Sequence, residues 1–430
     1  MSAPGSLLLV SYFYPPTRDT GAQRPAAMAK WLARLGWDVS VVTTGAFGSS
    51  AEDAGGGGGS GPGGGEAARV RVIRSFDMQT WRARMAGHDR VDSLFDSDSY
   101  TGKPHPLSKV IVPEPLALAW APFARRVALA AHRERPFDAV LTTSPPESAH
   151  TVGAALQRKG VRWVADIRDA WTYEPLRPPF PTKAQHRLDE RLERRRLGAA
   201  DAVVCVSEPA AADLRSRGIA DPVVIANAWD PDSDPGPEAV AAVEGLLDPE
   251  RVSLLYTGRF GSYGRDPGPL AEALGRFAAT APEEAAKLEL AVAGPLTPDE
   301  RALLEGTGAG VVKVSLLGSL ERERSLALQR RADALLLLAQ PARSQLVNFK
   351  LFEYLASGTP ILALADGTEA GRIAADAGVS PIVRADDPEA IAAALGALVR
   401  GDLKGPDPGA SGRYAYPGAA EAMSRVLLGG

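Results

Sequence analysis

Short apolar runs alternate along the chain with amphipathic stretches, a pattern typical of α/β proteins built on parallel sheets. Runs predicted to be buried strands cover residues 7–10, 39–43, 139–143, 163–167, 202–206, 253–256, 288–293, 334–338 and 361–364. Amphipathic stretches between them, such as residues 25–35 and 117–132, predict the connecting helices. At 430 residues the chain is too long for one hydrophobic core, so two doubly wound, Rossmann-like domains are expected.

The two domains are expected over residues 1–225 and 226–413. The polar, proline-rich residues 231–249 are interpreted as the linker that follows the first domain. The glycine tract 55–65 predicts a flexible loop, because glycine-rich segments bury little apolar surface. The amphipathic tail 414–430 predicts a final helix.

Composition narrows the classes of function. Lysine and arginine total 48 against 52 for aspartate and glutamate, so no basic surplus indicates nucleic-acid binding. The single cysteine, Cys205, excludes an internal disulfide, and the five histidines lack the spacing of metal ligands. No stretch is long and apolar enough to span a bilayer, and the N-terminus lacks a signal-peptide pattern, so a cytoplasmic location is expected. The high usage of alanine, glycine, arginine and proline suggests a high-GC bacterial source.

The stretch LVNFKLFEYLASGTPILAL, residues 346–364, predicts a loop, a helix and a buried strand. Asn348 can cap the helix, and Phe349 and Lys350 follow it, where free N–H groups, the helix dipole and an ammonium favour an anion. Phosphate is the expected ligand, and Glu353, one turn further on, can accept a hydrogen bond from a sugar hydroxyl. In an alternative interpretation, Lys350 and Glu353 form an ordinary i,i+3 surface pair.

A second group of cations follows the strand predicted at residues 253–256, in the sequence TGRFGSYGRDPGPL. Gly258 permits close backbone approach, and Arg259 and Arg265 flank a glycine-containing turn. Guanidinium groups make paired hydrogen bonds to phosphate oxygens, so this loop suits a diphosphate, although two unrelated surface arginines would look the same. Gly294, which ends the next strand, is expected to lie near the same ligand.

In the first half, candidate residues come at the carboxyl ends of strands, where open α/β sheets place their sites. Glu147 and His150 lie near a helix start in SPPESAH, and for His150 a satisfied interior position is the favoured interpretation. Arg168 and Asp169 emerge in ADIRDAW, where they could position an acceptor hydroxyl or accept its proton. The alternative is a salt bridge that fixes the loop. No G-x-G-x-x-G follows the first strand, which argues against a dehydrogenase.

These motifs together resemble family-4 glycosyltransferases with the GT-B fold. NFKLFEYLASGTPIL is similar to that family's nucleotide-binding signature, in which the residue matching Glu353 holds the ribose. Eight residues earlier the chain has Gln345 in place of the family's first glutamate. The first loop, YFYPP…G-x-x-R, resembles the loop in which Gly21 and its neighbours approach the donor sugar and phosphate. Asn227, in ANAWDP, resembles the family's N-G-x-D turn between the domains.

The resemblance implies two Rossmann-like domains that face a central cleft, with the helix 414–430 packed back on the first domain. It implies a retaining, metal-independent glycosyltransferase without a cofactor, whose donor substrate is a nucleotide-diphosphate sugar, most plausibly of the UDP or GDP type. Arg259, Arg265 and Lys350 would stabilise the leaving diphosphate, while the acceptor would dock near Asp169 and Glu147.

The expected acceptor is a polysaccharide precursor of the cell surface, a lipid-linked intermediate or a small secondary metabolite. The basic run at residues 183–196 is interpreted as a solvated helix face, with peripheral contact to the inner face of the membrane as the alternative. Two other functions stay open, namely a nucleotide-sugar epimerase of the same fold and a non-catalytic nucleotide- or glycan-binding relative.

Overall fold

The computed structural model describes residues 4–17, 19–47, 70–78, 80–81, 110–172, 179–261, 265–339, 347 and 349–430. The predicted glycine loop 55–65, Gln345 and the predicted helix cap Asn348 lie outside these residues. The chain divides into two compact units, one formed by Met1–Ala226 with Tyr416–Gly430 and the other by Asn227–Ala415.

The first unit contains a sheet of seven parallel strands in the order β3-β2-β1-β4-β5-β6-β7. Its strands are β1 Ser6–Val10, β2 Asp38–Thr44, β3 Arg71–Ser75, β4 Ala139–Ser144, β5 Arg162–Ile167, β6 Ala202–Cys205 and β7 Val223–Val224. In register, Leu8 of β1 lies between Ser40 of β2 and Val140 of β4. Because every strand runs the same way, their carboxyl ends share one edge of the sheet.

Helices cover both faces of this sheet, as its nearly uninterrupted apolar strands require. They are α1 Gln23–Arg34, α2 Leu116–Ala119, α3 Ala121–Glu134, α4 His150–Gln157, α5 Lys183–Leu197 and α6 Glu208–Ser216, together with the C-terminal α15 Tyr416–Leu428. The final helix is fixed to the first unit by hydrogen bonds from Trp37 Nε1 to Ser424 Oγ and from Arg162 to the Val426 carbonyl. Trp120 and Trp163, both fully buried, are among the large side chains of the core.

The second unit repeats this plan with a sheet of six parallel strands in the order β10-β9-β8-β11-β12-β13. Its strands are β8 Val252–Thr257, β9 Leu288–Ala293, β10 Lys313–Leu316, β11 Ala334–Leu338, β12 Ile361–Leu364 and β13 Ile382–Val383. Its helices are α7 Pro237–Ala241, α8 Gly268–Thr280, α9 Pro282–Ala285, α10 Pro298–Glu305, α11 Arg322–Arg331, α12 Phe349–Ser357, α13 Glu369–Asp376 and α14 Pro388–Val399. The two strand orders match, so both units are Rossmann-like and the predicted α/β class is confirmed.

Several local predictions differ from the structure. Strand β3 was not expected, because its arginines interrupt the apolar pattern at one end of the sheet. The helix predicted at residues 117–132 is two helices that meet at Trp120, whose ring is fully buried. The expected linker 231–249 instead belongs to the second unit and contains α7, which begins at Pro237.

Candidate functional site

Two glycines make close backbone contact at the carboxyl ends of β8 and β9. Gly258 has φ +103°, in the left-handed region that favours glycine, and its N–H donates to the Ala293 carbonyl at 2.7 Å. A Cβ on Gly294 would lie 2.1 Å from the Gly258 carbonyl oxygen, and a Cβ on Gly258 would lie 2.3 Å from Lys350 Nζ. A side chain at Gly294 would therefore collide with the backbone of Gly258, and a side chain at Gly258 would collide with Lys350.

Lys350, in the first turn of α12, points its amine into this space. The residue as a whole is half-buried, but Nζ is shielded from solvent and has no hydrogen-bond partner among the described residues. It lies 4.4 Å from the centroid of the Tyr256 ring. Burial lowers the pKa of Lys350 well below its ordinary value; the charges of Arg265 and Arg259 act in the same direction, against that of Glu353.

The loop after β8 is held by hydrogen bonds to the Arg259 carbonyl. Tyr256 Oη donates to it at 2.6 Å, and Arg265 Nη1 donates to it at 3.0 Å. The Tyr256 ring stacks on Phe260, with ring centroids 4.1 Å apart. The Arg265 guanidinium thus lies against the Arg259 backbone, and the charges of both arginines act on the pKa of Lys350.

Glu353 lies one turn beyond Lys350 on α12, but it does not form a surface pair with that lysine. Its Oε1 accepts a hydrogen bond from Arg322 Nη1 at 2.6 Å, and its side chain is 12% exposed. The alternative interpretation of an i,i+3 surface pair is therefore wrong. Arg322, at the start of α11, was not recognised in the sequence because it lies 31 residues before Glu353.

Asn227 supports the start of α12. Its Nδ2 donates to the Val347 carbonyl at 3.3 Å, and the side chain is buried. Phe349, half-buried, is the first residue of the helix. Asn227 is thus placed to position the chain that leads into Lys350.

Arg168, predicted to be catalytic, is instead occupied by main-chain carbonyls in the first unit. Its Nε donates to Ser144 O at 2.9 Å and its Nη2 to Pro145 O at 3.2 Å, while Nη1 donates to Gly21 O. The residue is 7% exposed, and burial lowers the pKa of Arg168, an effect that the Asp169 carboxylate partly offsets. A guanidinium bound to three carbonyls fixes loops, so these contacts favour a positioning role for Arg168 over the predicted catalytic one.

The carboxylates of the first unit differ in their surroundings. Asp169 is exposed directly after β5. Glu147 is half-buried in the short 3-10 turn Glu147–Ala149, and its charge acts on Arg196. Both lie after strands of the first sheet, at the carboxyl edge where an acceptor is expected from the sequence.

His150 lies in the interior, as favoured from the sequence, but only one of its ring nitrogens is hydrogen-bonded. Nδ1 is 2.8 Å from Thr142 Oγ1, whereas Nε2 has no partner in the described part of the chain. The ring stacks on Trp171 with centroids 6.1 Å apart. Burial, assisted by the Arg196 charge, lowers the pKa of His150 to about 3, so the ring is neutral at physiological pH.

Among the described residues, no set of three or more histidine, cysteine, aspartate or glutamate side chains is arranged to hold a metal ion. In the same part of the chain, no helix has both the length and the apolar character needed to cross a bilayer.

One protein-family model matches just under half of the chain. Residues 20–228 match the model described as a glycosyl transferase 4-like domain. Comparison with curated protein sequences finds no match.

Solved structures give the fold. Sucrose-phosphate synthase from Thermosynechococcus elongatus is similar over 98% of both chains, with 17% identity and a TM-score of 0.61. The N-terminal domain of a Candida albicans trehalose-6-phosphate phosphatase matches 99% of this chain and 97% of its own, with 14% identity and a TM-score of 0.62. A trehalose-6-phosphate synthase, studied for glycosyl transfer with retention, matches 98% of both chains, with 14% identity and a TM-score of 0.56. Residues 20–228 are therefore similar to a glycosyl transferase 4-like domain, and the chain has the two-domain GT-B fold of these structures.

Proposed function

We propose that the enzyme transfers a sugar from a nucleoside-diphosphate sugar to an acceptor hydroxyl or similar nucleophile, with retention of anomeric configuration. The observation that supports this most directly is the grouping of Arg259, Arg265 and Lys350 around Gly258 and Gly294 at the carboxyl edge of the second sheet. The absence of side chains at the two glycines lets Lys350 and the loop after β8 pack close together, and basic groups match the charge of a diphosphate.

The diphosphate is the leaving group of the proposed reaction. As the bond to the sugar breaks, negative charge develops on the phosphate oxygen that departs. Arg265 is held by its hydrogen bond to the Arg259 carbonyl and Lys350 by its contact with the Tyr256 ring, so both are in place to stabilise that charge, and Arg259 is proposed to act with them. In this proposal, the basic side chains supply the charge that a metal ion would otherwise provide.

Glu353 is proposed to accept hydrogen bonds from the ribose hydroxyls. Arg322 binds Oε1 and thereby fixes the orientation of the carboxylate. Both residues line one cavity of the second unit, together with Trp229 and Gln329. The nucleoside is therefore proposed to lie on the Glu353 side of the diphosphate.

The acceptor is proposed to bind at the carboxyl edge of the first sheet, near Asp169 and Glu147. Arg168 holds the Gly21 loop and the loop after β4 against each other, so these two carboxylates project from a fixed frame. We propose front-face displacement, in which the leaving phosphate helps to take the acceptor proton.

The donor is tested by incubating the protein with radiolabelled UDP-, GDP-, dTDP- and ADP-sugars, each with and without a panel of acceptors. Transfer of label to an acceptor with release of the nucleoside diphosphate is the expected result. A new sugar nucleotide formed from donor alone would show an epimerase instead. Tight nucleotide binding without turnover on any acceptor would show a non-catalytic relative.

A further inference from the structure

The amine of Lys350 is in surroundings that are unfavourable for a positive charge. It is shielded from water, and no described residue accepts a hydrogen bond from it. An ammonium loses its hydration on burial and regains stability only through acceptors or an opposite charge. The site offers the face of the Tyr256 ring, which is a weak substitute for hydrogen bonds.

The charged groups around this amine are mostly of the same sign. From the loop after β8, Arg259 and Arg265 both act against a positive charge at Lys350. From α12, only Glu353 favours it, and that carboxylate is already paired with Arg322.

Two tyrosines belong to the elements that surround the amine. The Tyr256 ring contacts it, and Tyr354 follows Lys350 by four residues on α12. Burial raises the pKa of both phenols, so both stay neutral and neither supplies a counter-charge.

We propose that Lys350 carries an uncharged amine in the free enzyme and takes up one proton from solvent when the nucleoside diphosphate binds. The lone pair of Nζ accepts the proton, and the resulting ammonium donates hydrogen bonds to phosphate oxygens. The inference rests on the proposed donor site, because only a ligand with several negative charges can offset the two arginines. Lys350 then distinguishes a diphosphate from a less charged nucleotide, since its charge forms only with a sufficiently anionic ligand.

This arrangement also explains why the three basic groups can share one pocket before ligand arrives. Arg259 and Arg265 cannot lose their charge, because guanidinium stays protonated in proteins. A lysine amine can lose its charge, and burial favours this because it lowers the pKa of Lys350. The free site therefore holds two permanent charges, and the third appears with the substrate.

Proton uptake is measured by titration calorimetry of the whole enzyme in pairs of buffers that differ in ionisation enthalpy. UDP, GDP, dTDP and ADP are tested at about pH 8, well above the second phosphate pKa of roughly 6, so that the ligand itself does not titrate. The expected uptake is about one proton per bound nucleotide, with affinity falling about tenfold for each pH unit above this value.

Substitutions of Lys350 test whether this residue is the one that takes up the proton. Lys350→Met should bind the nucleotide more weakly and without uptake, whereas Lys287→Met, at an exposed lysine of the same unit, should keep both uptake and affinity. If Lys350→Met fails to fold, Lys350→Arg replaces it in the test. Arginine stays charged, so this variant should bind the nucleotide without taking up a proton. Nucleotide binding to the wild type without proton uptake, or uptake that persists in both Lys350 variants, overturns the inference and leaves the donor site intact. Failure of every nucleotide to bind overturns the proposed function, and the inference with it.

Discussion

Arg24 holds the Asp166 carboxylate through two hydrogen bonds, from Nε to Oδ2 at 3.1 Å and from Nη2 to Oδ1 at 2.9 Å, in the interior of the first unit. The same guanidinium donates to the carbonyls of Ile225 and Ala226, at the end of the first continuous segment of that unit. One side chain therefore ties helix α1 to strand β5 and to the segment at which the chain leaves the first unit.

Replacing Arg24 with methionine should destabilise the protein strongly. The change leaves Asp166 buried at 3% exposure without its cationic partner, and breaking a buried pair costs about 3–5 kcal/mol. The free energy of unfolding, from urea titration followed by circular dichroism, gives the value. Arg276→Met is the control, because its pair with Glu272 is exposed and should contribute little. Equal stability of the two variants would contradict the role given to Arg24.

The contact between Gly258 and Gly294 predicts a sharp difference between two glycine substitutions. Gly294→Ala places a methyl group against the Gly258 backbone, so it should cost about 1–3 kcal/mol or more and weaken donor binding. Gly275→Ala, in α8, meets no atom within 4 Å and should be neutral or stabilising. Thermal unfolding and the donor KM of both variants make the comparison. Normal stability and a normal KM in Gly294→Ala would show that the close contact between Gly258 and Gly294 is needed for neither folding nor donor binding.

Substitutions of the neighbouring residues Arg168 and Asp169 should have different effects on stability and turnover. Arg168→Lys keeps the charge but loses the planar fork that reaches three carbonyls, so melting temperature and turnover should fall together. Asp169→Asn, at an exposed position, should lower kcat while the melting temperature stays unchanged. Steady-state kinetics and calorimetric melting of both variants test this. If Arg168→Lys keeps wild-type stability but loses turnover, the result would favour a catalytic role for Arg168 over a positioning role.

His150 predicts acid sensitivity of the fold. Its pKa falls from about 6.5 in the unfolded chain to about 3 in the native protein, so only the unfolded state gains its proton between these values. Its contribution to stability is fully present above about pH 6.5 and is lost as pH falls, with a slope of about 1.4 kcal/mol per pH unit. Urea titrations at several pH values in this window give the free energy of unfolding. Plotted against pH, this free energy should change less steeply in His150→Gln than in the wild type. His186→Gln, at an exposed histidine, should keep the wild-type slope.

The fold was largely predictable because parallel strands covered on both faces are apolar along their length. Strands such as Leu288–Ala293 and Ala334–Leu338 have the predicted bounds, since nothing polar interrupts them. Strand Arg71–Ser75 was missed for the opposite reason, because charged residues are tolerated in a strand that ends the sheet.

The site was predictable in its residue types but not in its contacts. The sequence indicates Arg259, Arg265 and Lys350 as cations, but only packing reveals that the lysine amine is buried between Gly258 and the ring of Tyr256. Partners distant in sequence gave no local signal. Arg24 and Asp166 are 142 residues apart, and no periodicity or motif spacing relates two such positions.

The central claim is that the second unit binds the diphosphate and ribose of the donor through Arg259 and Glu353. Turnover with the identified donor, measured for Arg259→Ala and Glu353→Ala beside the exposed control Arg276→Ala, tests it most directly. We expect the first two variants to fold normally and lose most turnover, while the control keeps wild-type rates. Near-normal rates in both site variants would contradict it.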